Sequence, residues 1–168
     1  EGEKFWSKHK YYSKLSNIYK VVTAVGQWES PEIIGLCEIE NYKTLHDLTR
    51  NTPLYLQEYK IIHKESPDLR GIDVALLYQP EKYKPIKNSF ISITFENSTK
   101  KTRDILYSKG VIDKKDTVHI FVNHWPSRWG GQLESELYRA QVALKLRTTI
   151  DSIYTTIDLP NIIVLGDL

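Results

Sequence analysis

The 168-residue sequence contains no methionine and a single cysteine, Cys37. One thiol excludes an internal disulfide framework and any metal site built from several thiolates. Long apolar runs are also missing. Stretches such as Ile33-Ile34-Gly35-Leu36-Cys37 fall far short of the roughly 18 residues that a membrane-spanning helix needs. Charge of one sign is scarce too: 23 Lys plus Arg against 21 Asp plus Glu leaves +2. That field is too weak to argue by itself for nucleic acid or an anionic membrane. No repeat, low-complexity tract or linker divides the chain. No signal-peptide pattern opens it, so neither compartment nor oligomeric state is legible. The missing initiator methionine, and an end at Leu168 inside a strand-like run, lead us to expect a segment of a longer polypeptide.

The 40% hydrophobic and 26% charged content is that of an ordinary globular protein, and the length suits one domain over residues 1–168 with a sizeable core. Leu15, Ile18, Val22 and Val25, at spacings of three and four, predict a helix over 10–28 that stops near Gly26. Ile33 to Ile39 predicts a buried strand. Asn41 caps a second expected helix through about Arg50. Further strands are expected over 59–63, 73–78, 89–95, 104–112 and 117–124, the last three as antiparallel hairpins. A long helix over 134–154, entered through Gly130-Gly131, precedes a final strand over 161–168. A meander of strands combined with strands that follow helices indicates a mixed α/β sandwich.

Three of these apolar strands end in an ionisable side chain: Glu38, His124 and Asp167. Period two places Glu38 with Ile34 and Leu36, His124 with Val118, Ile120 and Val122, and Asp167 with Ile163 and Leu165. A carboxylate on a core-facing row needs a cation, donors or water beside it. In α/β architectures ligands sit at strand ends. If the three ends converge, two carboxylates and an imidazole form an oxygen-rich pocket suited to Mg²⁺ or Mn²⁺; zinc would want more nitrogen or sulfur. Singly, each has an ordinary reading. Glu38 is a rim salt-bridge partner, His124 a hydrogen-bonded rim histidine, and Asp167 a turn residue. Recurrence at the same place on three strands favours the joint reading.

Gly35-Leu-Cys-Glu38-Ile-Glu-Asn41, Arg70-Gly-Ile-Asp-Val-Ala-Leu-Leu-Tyr78, Thr102-Arg103-Asp104-Ile-Leu, Val122-Asn-His124-Trp-Pro-Ser-Arg128, Tyr138-Arg139 and Val164-Leu-Gly-Asp167 occur in the order found in the endonuclease/exonuclease/phosphatase superfamily of DNase I-like fold. The lead-in Gly2-Glu-Lys-Phe-Trp6 is similar to that of bacterial members. The resemblance spans essentially the whole chain. It implies a four-layer α/β sandwich, two mixed β-sheets flanked by helices, truncated here at both ends. It also implies Mg²⁺-dependent (or Mn²⁺-dependent) cleavage of phosphate esters by in-line attack of water. Glu38 then resembles the metal-binding glutamate, and His124 the histidine that contacts the scissile phosphate. Asp167 resembles the aspartate that orients or deprotonates the water, and Arg103 a phosphate contact. The chemistry needs those types: a cation neutralises the phosphate as charge builds on the leaving group, while a carboxylate and an imidazole handle protons.

The sequence departs from the family pattern. An early strand ending in asparagine, an asparagine two residues after Asp167, and an Asp-His pair are not among its residues, so the segment alone is expected to be nearly inactive. Of the supporting residues, Arg139 pairs structurally below the start of the last helix or contacts substrate. Asp73, or a neighbour, is expected to orient His124. Arg70 is a surface arginine or a phosphate ligand. Trp125 and Trp129 stack on a base or sugar, or pack their loop. Substrate stays open between DNA, a lipid or inositol phosphate, and a small phosphodiester. The alternative from another class is a non-catalytic binding module that keeps the sandwich without a complete metal site.

Overall fold

The computed structural model describes residues 6–27, 29–96, 98–128 and 131–168, without the side chains of Gln132 and Glu134. Most of the lead-in (residues 2–5), Trp129 and Gly130 lie outside the described residues. Ser7 opens α1 (Lys8–Val25) by accepting the Lys10 N–H, and Asn41 opens α2 (Tyr42–Arg50) by accepting the Thr44 N–H. Such side-chain acceptors satisfy donors that the first helical turn leaves unpaired. Strand β1 (Ile33–Ile39) lies between these helices in sequence, and a short 3-10 turn, Pro53–Gln57, follows α2. Next come β2 (Lys60–His63), β3 (Asp73–Tyr78), β4 (Tyr83–Ile91), β5 (Ile105–Ile112) and β6 (Asp116–His124). Helix α3 (Gln132–Tyr154) and β7 (Asn161–Asp167) complete the order.

Two sheets result. One has the order β1-β3-β2 and is antiparallel throughout; the other has the order β4-β5-β6-β7 and is mixed, with β6 and β7 parallel. Period two explains the stacking. On β3, Ala75 and Leu77 pack against Leu15, Leu45, Leu48 and Leu54 of the helical layer. Val74 and Leu76 face the other way and meet Leu106, Ile120 and Val122 of the second sheet. That sheet turns Phe121 and Ile105 outward onto Val142 and Leu146 of α3. A strand apolar on both faces is thus sandwiched on both. The layers run helix, sheet, sheet, helix, as expected.

One strand differs from its expected range. Residues 89–95 read as a strand by alternation, but β4 begins at Tyr83 and ends at Ile91. Pro85, at a shift of register against β5, obscures its first half; proline within a run argues against a strand. Ile93 and Phe95 beyond it are buried against α3 without ladder partners. Packing alone meets their alternation.

Candidate functional site

Parallel pairing of β6 with β7 sets His124 opposite Asp167 and Asn123 opposite Gly166. Gly166 has φ +127°, and a Cβ there would lie 1.9 Å from the Asn123 carbonyl oxygen. Only glycine fits. The Trp125 N–H continues the ladder onto the Asp167 carbonyl at 2.9 Å. Across the interface between the two sheets, the Cys37 thiol of β1 donates to the same Asn123 carbonyl at 3.2 Å. The residues immediately before Glu38, His124 and Asp167 are therefore stacked against one another, and the three strand ends share one rim.

The carboxylates are not core-facing as alternation implies. The β1–β3 register shifts between Leu36 and Ile39, and Glu38 adopts φ +58°. A left-handed conformation costs about 1–2 kcal/mol for a residue with a Cβ. The bulge takes Glu38 out of alternation and leaves it exposed. Asp167 closes its strand with its side chain 78% exposed, its Oδ2 3.9 Å from His124 Nε2. His124 is buried, and its Nδ1 has no hydrogen-bond partner. Burial, reinforced by the Arg103 guanidinium, pushes its pKa below the ordinary 6.5; Asp167 and Glu38 pull upward and are outweighed. The ring is neutral at pH 7.

Arg103 is not presented to a ligand. Its side chain is 3% exposed, and it donates Nε to the His124 carbonyl (3.1 Å), Nη2 to the Trp125 carbonyl (2.6 Å) and Nη1 to Asp68 Oδ2 (2.9 Å). It braces the end of β6 from behind. Burial works to raise the Asp68 carboxyl, but hydrogen bonds from Arg103 and the Arg70 backbone hold it below the usual range. Asp68 Oδ1 also takes the Arg70 Nε at 3.4 Å. Arg70 itself is exposed, and its charge acts on His124 through space. Arg139 donates to the Pro126 carbonyl at 3.2 Å and lies over the Trp125 ring, 5.6 Å from its centre. Trp125 is half-buried against the α3 layer, so it packs its loop.

Asp73 does not orient His124. Its Oδ2 pairs with His63 Nε2 at 3.0 Å and its Oδ1 accepts the Ser66 N–H at 2.7 Å. The reason is register: Asp73 sits opposite Ile39 beside β2, not beside β6. His63, Glu65 and Asp73 offer ligand atoms all within 4.8 Å of one another and could hold a cation. Glu38, His124 and Asp167 form no such tight trio among the described residues. His63 and Asp68 escape the sequence reading. Applied to Lys60–His63, the strand-end rule finds the histidine; Asp68, two residues before Arg70, has the spacing of an Asx turn.

Glu38 lines a cavity of about 720 Å³ between α1, α2 and the end of β1, and neither His124 nor Asp167 lines it. The donor set nevertheless fits Mg²⁺ or Mn²⁺. Both carboxylates are exposed and accept no side-chain hydrogen bond from a described residue, and such ions take one or two carboxylates and keep several waters.

A doubly covered pair of sheets with acids and an imidazole on one rim defines a class of α/β sandwich, and the comparisons place the chain within it. The family model described as endonuclease/exonuclease/phosphatase matches residues 1–168, and the chain belongs to that family. It is similar in fold to TDP2 from Caenorhabditis elegans (18% identity, 96% of this chain and 43% of that one, TM-score 0.68). It is also similar to the mannosyl-6-phosphatase of Bacteroides thetaiotaomicron (14%, 94% and 57%, TM-score 0.64). The human nocturnin catalytic domain with bound sulfate is a third such structure (16%, 92% and 56%, TM-score 0.62). The chain spans about half the length of these solved relatives. No curated protein matches it significantly in sequence.

Proposed function

We propose that the chain carries the acidic half of the active site of a divalent-cation-dependent phosphoester hydrolase. The observation that supports this reading is the stacking of Cys37, Asn123 and Gly166, which brings Glu38, His124 and Asp167 to one rim. Glu38 would hold Mg²⁺ or Mn²⁺. Such an ion, when bound, neutralises phosphate oxygens as charge moves to the leaving group. Asp167 positions the attacking water and accepts its proton. The buried, neutral His124 ring donates an N–H to a phosphate oxygen. Arg103 fixes the end of β6 so that the ring keeps its place, and Arg70 adds positive charge at the edge. The family's description and the name of one relative, a mannosyl-6-phosphatase, point to phosphate esters and leave the substrate of this protein open between nucleic acid, lipid or inositol phosphate, and a small ester.

A polypeptide containing residues 1–168, titrated with Mg²⁺ or Mn²⁺ against phosphomonoesters, phosphodiesters and nicked or abasic DNA, tests the reading. Hydrolysis that a chelator removes, and that Glu38→Gln and Asp167→Asn each lower by about 100-fold or more, is the expected result. Cation-independent hydrolysis, or activity untouched by both substitutions, would overturn it. Saturable binding of a phosphate ester without turnover would favour the binding module instead.

A further inference from the structure

The outer face of the second sheet carries a second constellation, remote from the chemistry above. Register sets Lys87 opposite Lys109, and Lys109 opposite His119, in one row across β4, β5 and β6. Lys145 and Thr149 of α3 close the other side of a groove of about 400 Å³, a size within the range of small-ligand sites. Among the described residues, no carboxylate lines this groove. Like charges directly opposite on neighbouring strands destabilise a sheet, yet Lys87, Lys109 and Lys145 have no ion-pair partner among the described residues. Three lysines therefore line a hollow in which no carboxylate of a described residue balances them.

His119 supplies an independent observation. Its ring lines the groove and is only 3% exposed. Nδ1 meets the Tyr107 hydroxyl at 2.8 Å, the two rings stacked, while the buried Nε2 has no hydrogen-bond partner. Burial raises the Tyr107 pKa, so the phenol keeps its proton and can either donate it to Nδ1 or accept from an Nδ1–H. A neutral imidazole that accepts at Nδ1 carries its hydrogen on Nε2. In either tautomer the result is a buried ring nitrogen, Nε2, without a partner, in a native interior where such groups are normally paired. The hydroxyl of Ser89 adds a further donor along the wall.

We propose that this groove binds a phosphate group, with Lys87, Lys109 and Lys145 neutralising its charge above the His119–Tyr107 pair. The ligand is a phosphorylated small molecule or one phosphate of a nucleic-acid backbone, and the shared chemistry is a compact oxyanion meeting amines and hydroxyls.

Calorimetric titration of a polypeptide containing residues 1–168 with inorganic pyrophosphate, without added divalent cation, tests the proposal. We expect one saturable site that Lys87→Gln/Lys109→Gln weakens by about tenfold or more, the worth of one charge-assisted hydrogen bond. Lys114→Gln/Lys115→Gln removes the same charge from the β5–β6 turn and leaves affinity unchanged. In the folded wild type, the His119 imidazole nitrogen resonances shift on titration. A short single-stranded oligonucleotide that displaces pyrophosphate identifies the backbone as the source; displacement by a mononucleotide alone identifies a small ligand. No saturable binding up to about 10 mM, or equal weakening by both lysine pairs, would each overturn the proposal.

Discussion

At the scale of single residues, the rim depends on positions that carry no chemistry of their own. Gly166 combines a φ closed to side chains with backbone contact to Asn123. We predict that Gly166→Ala destabilises the fold by about 2 kcal/mol or more and displaces Asp167. Gly71→Ala meets open space at φ +63° and should cost only about 1 kcal/mol; urea titration of both variants checks the contrast. Arg103 makes a second case. Its removal leaves Asp68 charged and buried, so Arg103→Met should destabilise by about 3–5 kcal/mol. Removing both charges with Asp68→Leu should recover part of that loss in a double-mutant cycle. The Gly-Asp pair was legible in the sequence because glycine before an acid at a strand end has a local cause. The Arg103–Asp68 pair was not. Its partners lie 35 residues apart, and nothing local distinguishes an arginine that braces a backbone from one that meets a ligand.

At the scale of elements, β6 concentrates two titratable groups on opposite faces. His119 looks outward towards α3, and His124 inward towards the first sheet. Burial lowers both below the ordinary 6.5, assisted by Lys109 for the first and Arg103 for the second. The unfolded chain then binds protons that the folded chain refuses. Stability should be full above pH 6.5 and fall as pH drops from 6.5 towards the depressed folded values, levelling below them. Chemical denaturation between pH 5 and 8 measures this. His119→Phe should flatten part of the slope with α3 still packed, whereas a slope unchanged in both His119→Phe and His124→Gln would remove these rings as its cause. The ends of β1, β3, β6 and β7 were legible because buried strands are apolar on both faces and punctuated by polar residues. The first half of β4 was hidden by Pro85 and by Lys84 and Lys87 on either side of it, and the bulge at Glu38 by the lack of any local signal for register.

At the scale of the whole molecule, the layering followed from runs apolar on both faces, but where a cation would settle did not. Two acidic settings lie along the first sheet: Glu38 with Asp167 across the rim, and Glu65 with the His63–Asp73 pair behind it. Binding to the folded chain alone stabilises it by about 2.7 kcal/mol at a hundredfold excess over the dissociation constant. For a domain of this size that raises the melting temperature by about 5–10 °C. If the proposed site is the one occupied, Mg²⁺ should raise the melting temperature of the wild type and of Glu65→Gln alike, and Glu38→Gln should abolish the shift. The second setting contains an imidazole and so favours Mn²⁺ over Mg²⁺. A shift that survives in Glu38→Gln, disappears in Glu65→Gln and is larger with Mn²⁺ would move the cation behind the rim. Asp167 would then be left to act on water without a metal beside it.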